Sequence, residues 1–291
     1  MSITFQLIKD SEGSAHFHEL ERMIWSSPDE DLIPAHVLIT IAKSGGCLLG
    51  AYADNGPAQT GGLIGAALWW LGTVNPLDAT LTKGKPALRV YSHMAGVLPA
   101  YQGYGIGTML KLEQRRLVLA QGLTDRISWT YDPLYLANSI FNLRRLGAVC
   151  NSYKPNLYGD MVDALNKGTP SDRCEVDWFL RSPRVEAAAA GTPIQREWAG
   201  SDLRVLPSVT TTTGSDFHRP LDVDLQLDAP HIAVPAPDDI AAIRQQDSAR
   251  SLAWRLYIRN IFQTAFACNY LLVDCARLDD GNWYYILEKQ R

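Results

Sequence analysis

The sequence carries no surplus of positive charge: 27 Lys and Arg stand against 31 Asp and Glu, a formal charge of -4. Without a basic surplus, no nucleic-acid partner is expected. Long apolar runs are also missing. The most hydrophobic stretch, Leu63 to Gly72, falls well short of the ~20 residues of a membrane helix, so no membrane partner is expected either. Cysteine is sparse. Cys47, Cys150, Cys174, Cys268 and Cys275 contain no C-x-x-C pair and no His at a zinc-finger interval, which argues against a metal site. An odd, scattered set reads as buried thiols in a reducing, cytoplasmic compartment. Met1 to Asp10 has one lysine and no long apolar run, unlike a signal peptide.

Hydrophobic residues make up 46% and charged residues 20%, enough apolar material for a buried core in a chain of 291 residues. Alternation over Ile3 to Leu7 predicts a strand, and the stripe Phe17, Leu20, Ile24 predicts a helix from Ser11 to Trp25, capped by Ser11 or Ser14. A short helix is expected over Ala35 to Lys43. Strands are expected over Cys47 to Ala53, Leu63 to Leu71 and Leu88 to Leu98. A helix from Thr108 to Ala120, a strand from Arg126 to Tyr131 and a helix from about Leu136 to Leu146 follow. Two strands, Ala148 to Tyr153 and Cys174 to Leu180, complete the order β-α-α-β-β-β-α-β-α-β-β. Ser182 to Pro230 changes texture, with an alanine run at Ala187 to Ala190, and reads as a linker or irregular extension. Beyond it, a strand at His231 to Val234, helix within Pro237 to Phe266 and a hairpin of Tyr270 to Cys275 with Trp283 to Leu287 suggest a small α+β subdomain with its own aromatic core.

Gln102-Gly103-Tyr104-Gly105-Ile106-Gly107-Thr108 lies between a strand and a helix. Three glycines let the backbone turn tightly and gather N–H groups, and the helix N-terminus adds partial positive charge, a combination suited to phosphates. No Lys-Ser/Thr follows, so the loop is not a Walker loop. The third glycine is misplaced for a dinucleotide fingerprint, and Asp125 opens a strand where a ribose-binding acid would close one.

The Gln102-x-x-Gly105-x-Gly107 pattern follows a strand holding Met94-Ala95-Gly96-Val97. Together with the later segment Asn138 to Leu146-Gly147-Ala148, it resembles the acyl-CoA loop of the GCN5-related N-acetyltransferase (GNAT) superfamily. The segments Ser92-His93-Met94, Trp129 to Leu134 and Ser171-Asp172-Arg173 are similar to a branch with an extra C-terminal region. The resemblance implies an α+β fold: a central, mostly antiparallel, splayed sheet flanked by helices. Residues 1–182 would then form the acyl-CoA-binding catalytic domain, 183–230 a linker or extension, and 231–291 the α+β subdomain. It implies that Met94, Ala95, Gly96 and Val97 pair with the pantetheine arm of acetyl-CoA or another acyl-CoA. Gln102, Gly103, Tyr104, Gly105, Ile106, Gly107 and Thr108 would hold the pyrophosphate, and Asn138 would start the later cofactor-side helix.

The expected activity is N-acyl transfer to a small-molecule amine, possibly an amino acid, in a ternary complex. The alternatives are a non-catalytic acyl-CoA-binding protein and a protein lysine acetyltransferase. Where many members carry a tyrosine acid this chain has Leu143, so Tyr135, Tyr153 and Tyr158 stand as replacements, with Tyr158 taken among the catalytic candidates. His93 and Asp132 are candidate bases, against the plainer readings of a core histidine and a turn aspartate. Asp172 with Arg173 reads as an ion pair or a substrate-carboxylate site. Arg115, Arg116, Arg144 and Arg145 read as solvated faces or 3′-phosphate contacts. The resemblance also allows a homodimer through Tyr257, Ile261 and Phe262.

Overall fold

The computed structural model describes residues 1–26, 28–74, 87–159, 169–194, 196–200, 202–210, 218–221 and 225–290. The chain divides into two compact units, Met1–Trp129 and Thr130–Arg291. The expected segments 183–230 and 231–291 both fall inside the second unit, together with 130–182.

In the first unit, β1 (Ile3–Leu7) leads into α1 (Ser11–Trp25), α2 (Ala35–Lys43), β2 (Cys47–Ala53), β3 (Leu63–Thr73), β4 (Leu88–Val97), α3 (Ile106–Gln121) and β5 (Arg126–Tyr131), whose end crosses the boundary. The loop that precedes β4 in the sequence reading lies largely outside the described residues. The strand order is β1-β2-β3-β4-β5, antiparallel except for the β4/β5 pair. The stripe Phe17 and Leu20 of α1 is buried, each side chain contributing ~1.5–3 kcal/mol. The helix cap differs from expectation: Asp10, not Ser11 or Ser14, accepts from the Gly13 amide at 2.8 Å. A carboxylate at that position satisfies an orphan amide and meets the positive helix end.

β3 is buried on both faces from Leu63 to Trp69, because helices cover it from both sides. A Cβ on Gly65 would meet Leu110 of α3 and Val97, whereas a Cβ on Gly96 would meet Trp25 and Ile24 of α1. Helices α1 and α3 therefore cover opposite faces of the β3–β4 ribbon.

In the second unit, α4 (Leu136–Ser139) widens into a π-helical turn over Ile140–Arg145, ended by Gly147 at φ +75°. Then come β6 (Val149–Lys154), β7 (Arg173–Phe179), α5 (Pro183–Ala189), β8 (Leu203–Val205), β9 (Ser208–Thr210), β10 (His218–Pro220), β11 (His231–Pro235), α6 (Ile240–Gln246), α7 (Ser248–Ala267), β12 (Tyr270–Arg277) and β13 (Trp283–Lys289). The order is β7-β6-β12-β13-β11-β8, antiparallel apart from β11/β8. β9 pairs with β10 apart from it. The C-terminal strands thus continue the β6–β7 sheet through Leu272↔Cys150. The alanine run corrects one expectation: it is helical, in α5, because Pro183 sits at its first position and Ala has the highest helix propensity. Tyr257, Ile261 and Phe262 are buried within the chain, so they offer no dimer face. Among the described residues no helix is long and apolar enough to cross a membrane.

Candidate functional site

The glycine loop closes the gap between β4 and α3. Gly103 and Gly105 adopt φ +85° and +78°, a region that disfavours side chains, and a Cβ on either would meet nothing within 4 Å. The loop therefore presents bare backbone to open space. Gly105 is the N-terminal boundary of α3 and offers no side-chain cap. Among the described residues, nothing accepts a hydrogen bond from the amides of Gly103, Tyr104, Gly105, Ile106, Gly107 or Thr108. Gln102 braces the loop by donating its side-chain amide to the Val97 carbonyl at 3.0 Å. Tyr104 stands at 66% exposure beside it. Open backbone at Gly103 and Gly105 beside the N-terminus of α3 is the kind of arrangement that can receive an anion.

β4 brings the second part. Its pairing with β5 stops at Val90↔Ile127 and Tyr91↔Ser128, although β4 runs on to Val97. The strands thus part company, and the β5 side of Ser92 to Val97 no longer follows that ladder. On the other side, β4 pairs with β3 with a bulge: Leu68 faces Met94, Trp69 faces Ser92, and His93 has no partner of its own. Bulges re-aim side chains beside functional sites. Here the His93 ring lies 5.1 Å from that of Trp70. Its side chain reaches solvent, but the protein packed around it disfavours the imidazolium and lowers its pKa from the ordinary histidine value. Ala95 is exposed, and Met94, Gly96 and Val97 are half-buried. Trp25 lies so close over Gly96 that a Cβ there would stand 2.5 Å from its ring, and one of the two would have to shift.

A buried polar cluster underlies this strand. Lys111, on the second turn of α3, is 3% exposed and donates to Gln114 Oε1 at 2.6 Å and Ser92 Oγ at 3.3 Å. Gln114 donates in turn to Ser92 Oγ at 3.1 Å. The ammonium sits 3.7 Å from the ring centroid of Trp129. Burial pushes the Lys111 pKa down to about 7. Sequence reasoning missed this cluster. The available signal was Lys111 and Gln114 falling on the buried stripe of α3 with Ile106, Leu110 and Val118.

The remaining expected residues belong to the second unit. Asp132 is 6% exposed, and both its oxygens accept from Arg255 of α7, at 2.7 and 2.6 Å. Its Oδ1 also accepts from the Leu134 amide at 3.0 Å. Asp172 is fully buried and forms a second bidentate pair with Arg259 at 2.8 Å for each bond. It also accepts from the Tyr153 hydroxyl and the Asn156 amide. Burial raises the Asp172 pKa, but these donors outweigh it and hold the carboxyl below the ordinary range. Arg173 donates to the Asp172 backbone carbonyl and lies 3.8 Å from Asp132, so the expected ion pair between the Asp172 and Arg173 side chains is replaced by Asp172–Arg259 and Arg173–Asp132. The arginines of α7, read from sequence as part of a plain packing helix, are the main omission here. Their i, i+4 spacing on a stripe with Trp254, Ile258 and Phe262 was the available sign.

Among the tyrosines, Tyr153 is spent on Asp172, and its pKa is driven far up by burial and then by that carboxylate. Tyr135 is raised mainly by burial. Tyr158 is exposed, shares a 2.9 Å hydrogen bond with the Thr130 hydroxyl, and has the Arg173 guanidinium 5.5 Å from its ring centre. Leu143 is fully buried. Asn138 is exposed in the first turn of α4, its amide bonded to the Tyr135 carbonyl. Arg116 pairs with Glu113, and Arg144 lies 3.7 Å from Asp274. Among the described residues no group of His, Cys, Asp or Glu is arranged to hold a metal.

No protein-family model and no curated protein matches the chain. Solved structures do. NAA60 of Arabidopsis thaliana in complex with acetyl-CoA is similar at 15% identity and a TM-score of 0.48, covering 61% of this chain and 99% of that one. The ribosomal-protein-S18-alanine N-acetyltransferase from Escherichia coli is similar at 11% identity and a TM-score of 0.43, over 60% of this chain and 92% of that one. An acetyltransferase of the GNAT family from Streptococcus pneumoniae is similar at 14% identity and a TM-score of 0.43, over 60% and 98%.

Proposed function

We propose that the chain is an acyl-CoA-dependent N-acyltransferase acting on the amine of a small molecule, possibly an amino acid. The carrying observation is the open glycine loop from Gly103 to Thr108 at the end of a bulged strand that has parted from its neighbour. Such a loop suits a pyrophosphate. Amides beside a helix N-terminus would give it charge-assisted hydrogen bonds. The released edge at Met94, Ala95, Gly96 and Val97 suits an amide-bearing pantetheine arm, which would add to the sheet as a strand does. Acetyl-CoA meets both requirements, and so does a longer acyl-CoA. The transfer forms an amide bond at the acceptor nitrogen and breaks the thioester C–S bond. The acceptor must lose one proton, and the departing thiolate must gain one.

His93 is the base in this reading, directly or through a water. Its lowered pKa keeps the imidazole neutral, and therefore able to accept a proton, at pH 7. Asp132 is reassigned from base to anchor, since Arg255 and the Leu134 amide occupy both oxygens. Tyr158 is retained as the proposed acid because Tyr153 is committed to Asp172. Asn138 stays a proposed cofactor-side residue. Residues 1–182 carry binding and transfer in this proposal, and α7 braces Asp132 and Asp172 among them. The five free thiols suit a cytoplasmic setting.

Isothermal titration with acetyl-CoA and succinyl-CoA tests the claim. Binding of at least one is expected, and Gly105→Val should weaken it at least tenfold by placing a branched side chain at a φ of +78° in the loop. Failure of both ligands to bind overturns the proposal. The buried Leu143 favours a second reading, an acyl-CoA binder without turnover. Binding with no thiol release across a panel of amines would support that reading instead.

A further inference from the structure

We infer that Lys111 and Gln114 are positioning residues for His93: through Ser92 they fix the β4 bulge that turns the imidazole away from α3. The argument is one of parity. Val97 points to the α3 face, since both Val97 and Leu110 approach a Cβ built on Gly65. Gly96 points to the α1 face, toward Trp25. Strict alternation back from Val97 would place Ala95, His93 and Tyr91 against α3, and Ser92 against the other face. The structure has the reverse. Ser92 bonds Gln114 and Lys111 of α3, while His93 lies beside Trp70, whose own ring neighbours the Tyr91 ring. The extra residue at His93 accounts for the change, because a bulge inverts the facing of everything beyond it.

What holds the inversion is the fit under Ser92. The space between β4 and α3 is filled by the buried Lys111 stem, with its ammonium over Trp129 and its donors on Ser92 and Gln114. A small hydroxyl fits that space and accepts from both partners. An imidazole is too large for that space and would displace the buried ammonium from its seat over Trp129. Regular alternation is thereby excluded and the bulged register selected. The catalytic part of this inference rests on the proposed acyl transfer; the register part stands without it.

The test is nuclear magnetic resonance of full-length protein carrying ¹³C-labelled histidine. It reads the contact between the His93 and Trp70 rings in wild type, Lys111→Met, Ser92→Ala and Ser92→Thr. Loss of the contact is expected in Lys111→Met and Ser92→Ala, with rescue in Ser92→Thr, which keeps the hydroxyl. Acetyl-CoA affinity should stay within twofold of wild type, while kcat falls at least tenfold. Persistence of the ring contact in both Lys111→Met and Ser92→Ala overturns the inference. Should Lys111→Met not fold, Ser92→Ala decides alone, since it removes a single oxygen. If wild type binds no acetyl-CoA, the functional proposal falls, and the ring contact still decides the register.

Discussion

Arg255 is 1% exposed and Asp132 6%, and two hydrogen bonds of 2.7 and 2.6 Å join them. Arg255→Met would leave a buried carboxylate with the Leu134 amide at 3.0 Å and Arg173 at 3.8 Å as its remaining partners. Breaking a buried pair from one side costs about 3–5 kcal/mol, a large part of the ~5–15 kcal/mol that holds a domain folded. Asp132→Asn strands Arg255 in the same way. The double variant keeps an acceptor for the Leu134 amide and removes both charges, so its loss should fall short of the summed losses by about 1–3 kcal/mol. Arg259→Met provides the contrast. Its side chain is 23% exposed, and Asp172 keeps Tyr153 and the Asn156 amide. A smaller loss, about 1–2 kcal/mol, is expected there. Urea unfolding followed by tryptophan fluorescence at pH 7 measures all four. A loss under about 1 kcal/mol for Arg255→Met, or a larger loss for Arg259→Met, would refute the reasoning. The pair also sets an acid limit. The folded Asp172 carboxyl is depressed, so its contribution is complete above the ordinary aspartate value near ~4 and fades as pH falls toward the folded value.

Two further outcomes are expected. Gly96→Ala places a Cβ 2.5 Å from Cζ2 of Trp25 and should lower stability by about 1–3 kcal/mol, with Trp25→Leu restoring part of it; independent, additive losses in denaturation would contradict the contact. Glu21 is buried, its Oε2 has no hydrogen-bond partner among the described residues, and burial raises its pKa to about 7. The folded state then binds more protons than the unfolded state between roughly pH 4.3 and 7, so stability falls across that range. Glu21→Gln should stabilise at pH 8 by at most about 4 kcal/mol and have little effect near pH 4. A pH-independent difference in urea midpoints would exclude this assignment.

The order of elements was legible because apolar periodicity and glycine stops are local signals. Ser11–Trp25, Ala35–Lys43, Cys47–Ala53 and Arg126–Tyr131 match their expected bounds. The glycine loop itself was legible for the same reason: a glycine run between a strand and a helix is written within a few residues. The bulge at His93 was not, since alternation through Ser92-His93-Met94 contains nothing that marks a skipped partner, and the selecting contacts come from α3, 19 and 22 residues away. Asp132 before Pro133 looked like a turn residue, and its Leu134 bond is indeed one. Its partner Arg255 lies 123 positions later, beyond any local pattern. The π-helical turn at Ile140–Arg145 was read as an ordinary helix, because one extra residue per turn leaves little trace in an apolar stripe.

The separation of those ion-pair partners has a temporal side. The ribosome adds ~5–20 residues per second, so Asp132 is made about 6–25 s before Arg255 exists to meet it. The first unit has no such wait, because the network of Ser92, Lys111, Gln114 and Trp129 spans fewer than forty positions. Vectorial synthesis thus leaves the nascent second unit with two aspartates, bound for the interior, that stay hydrated until α7 is translated.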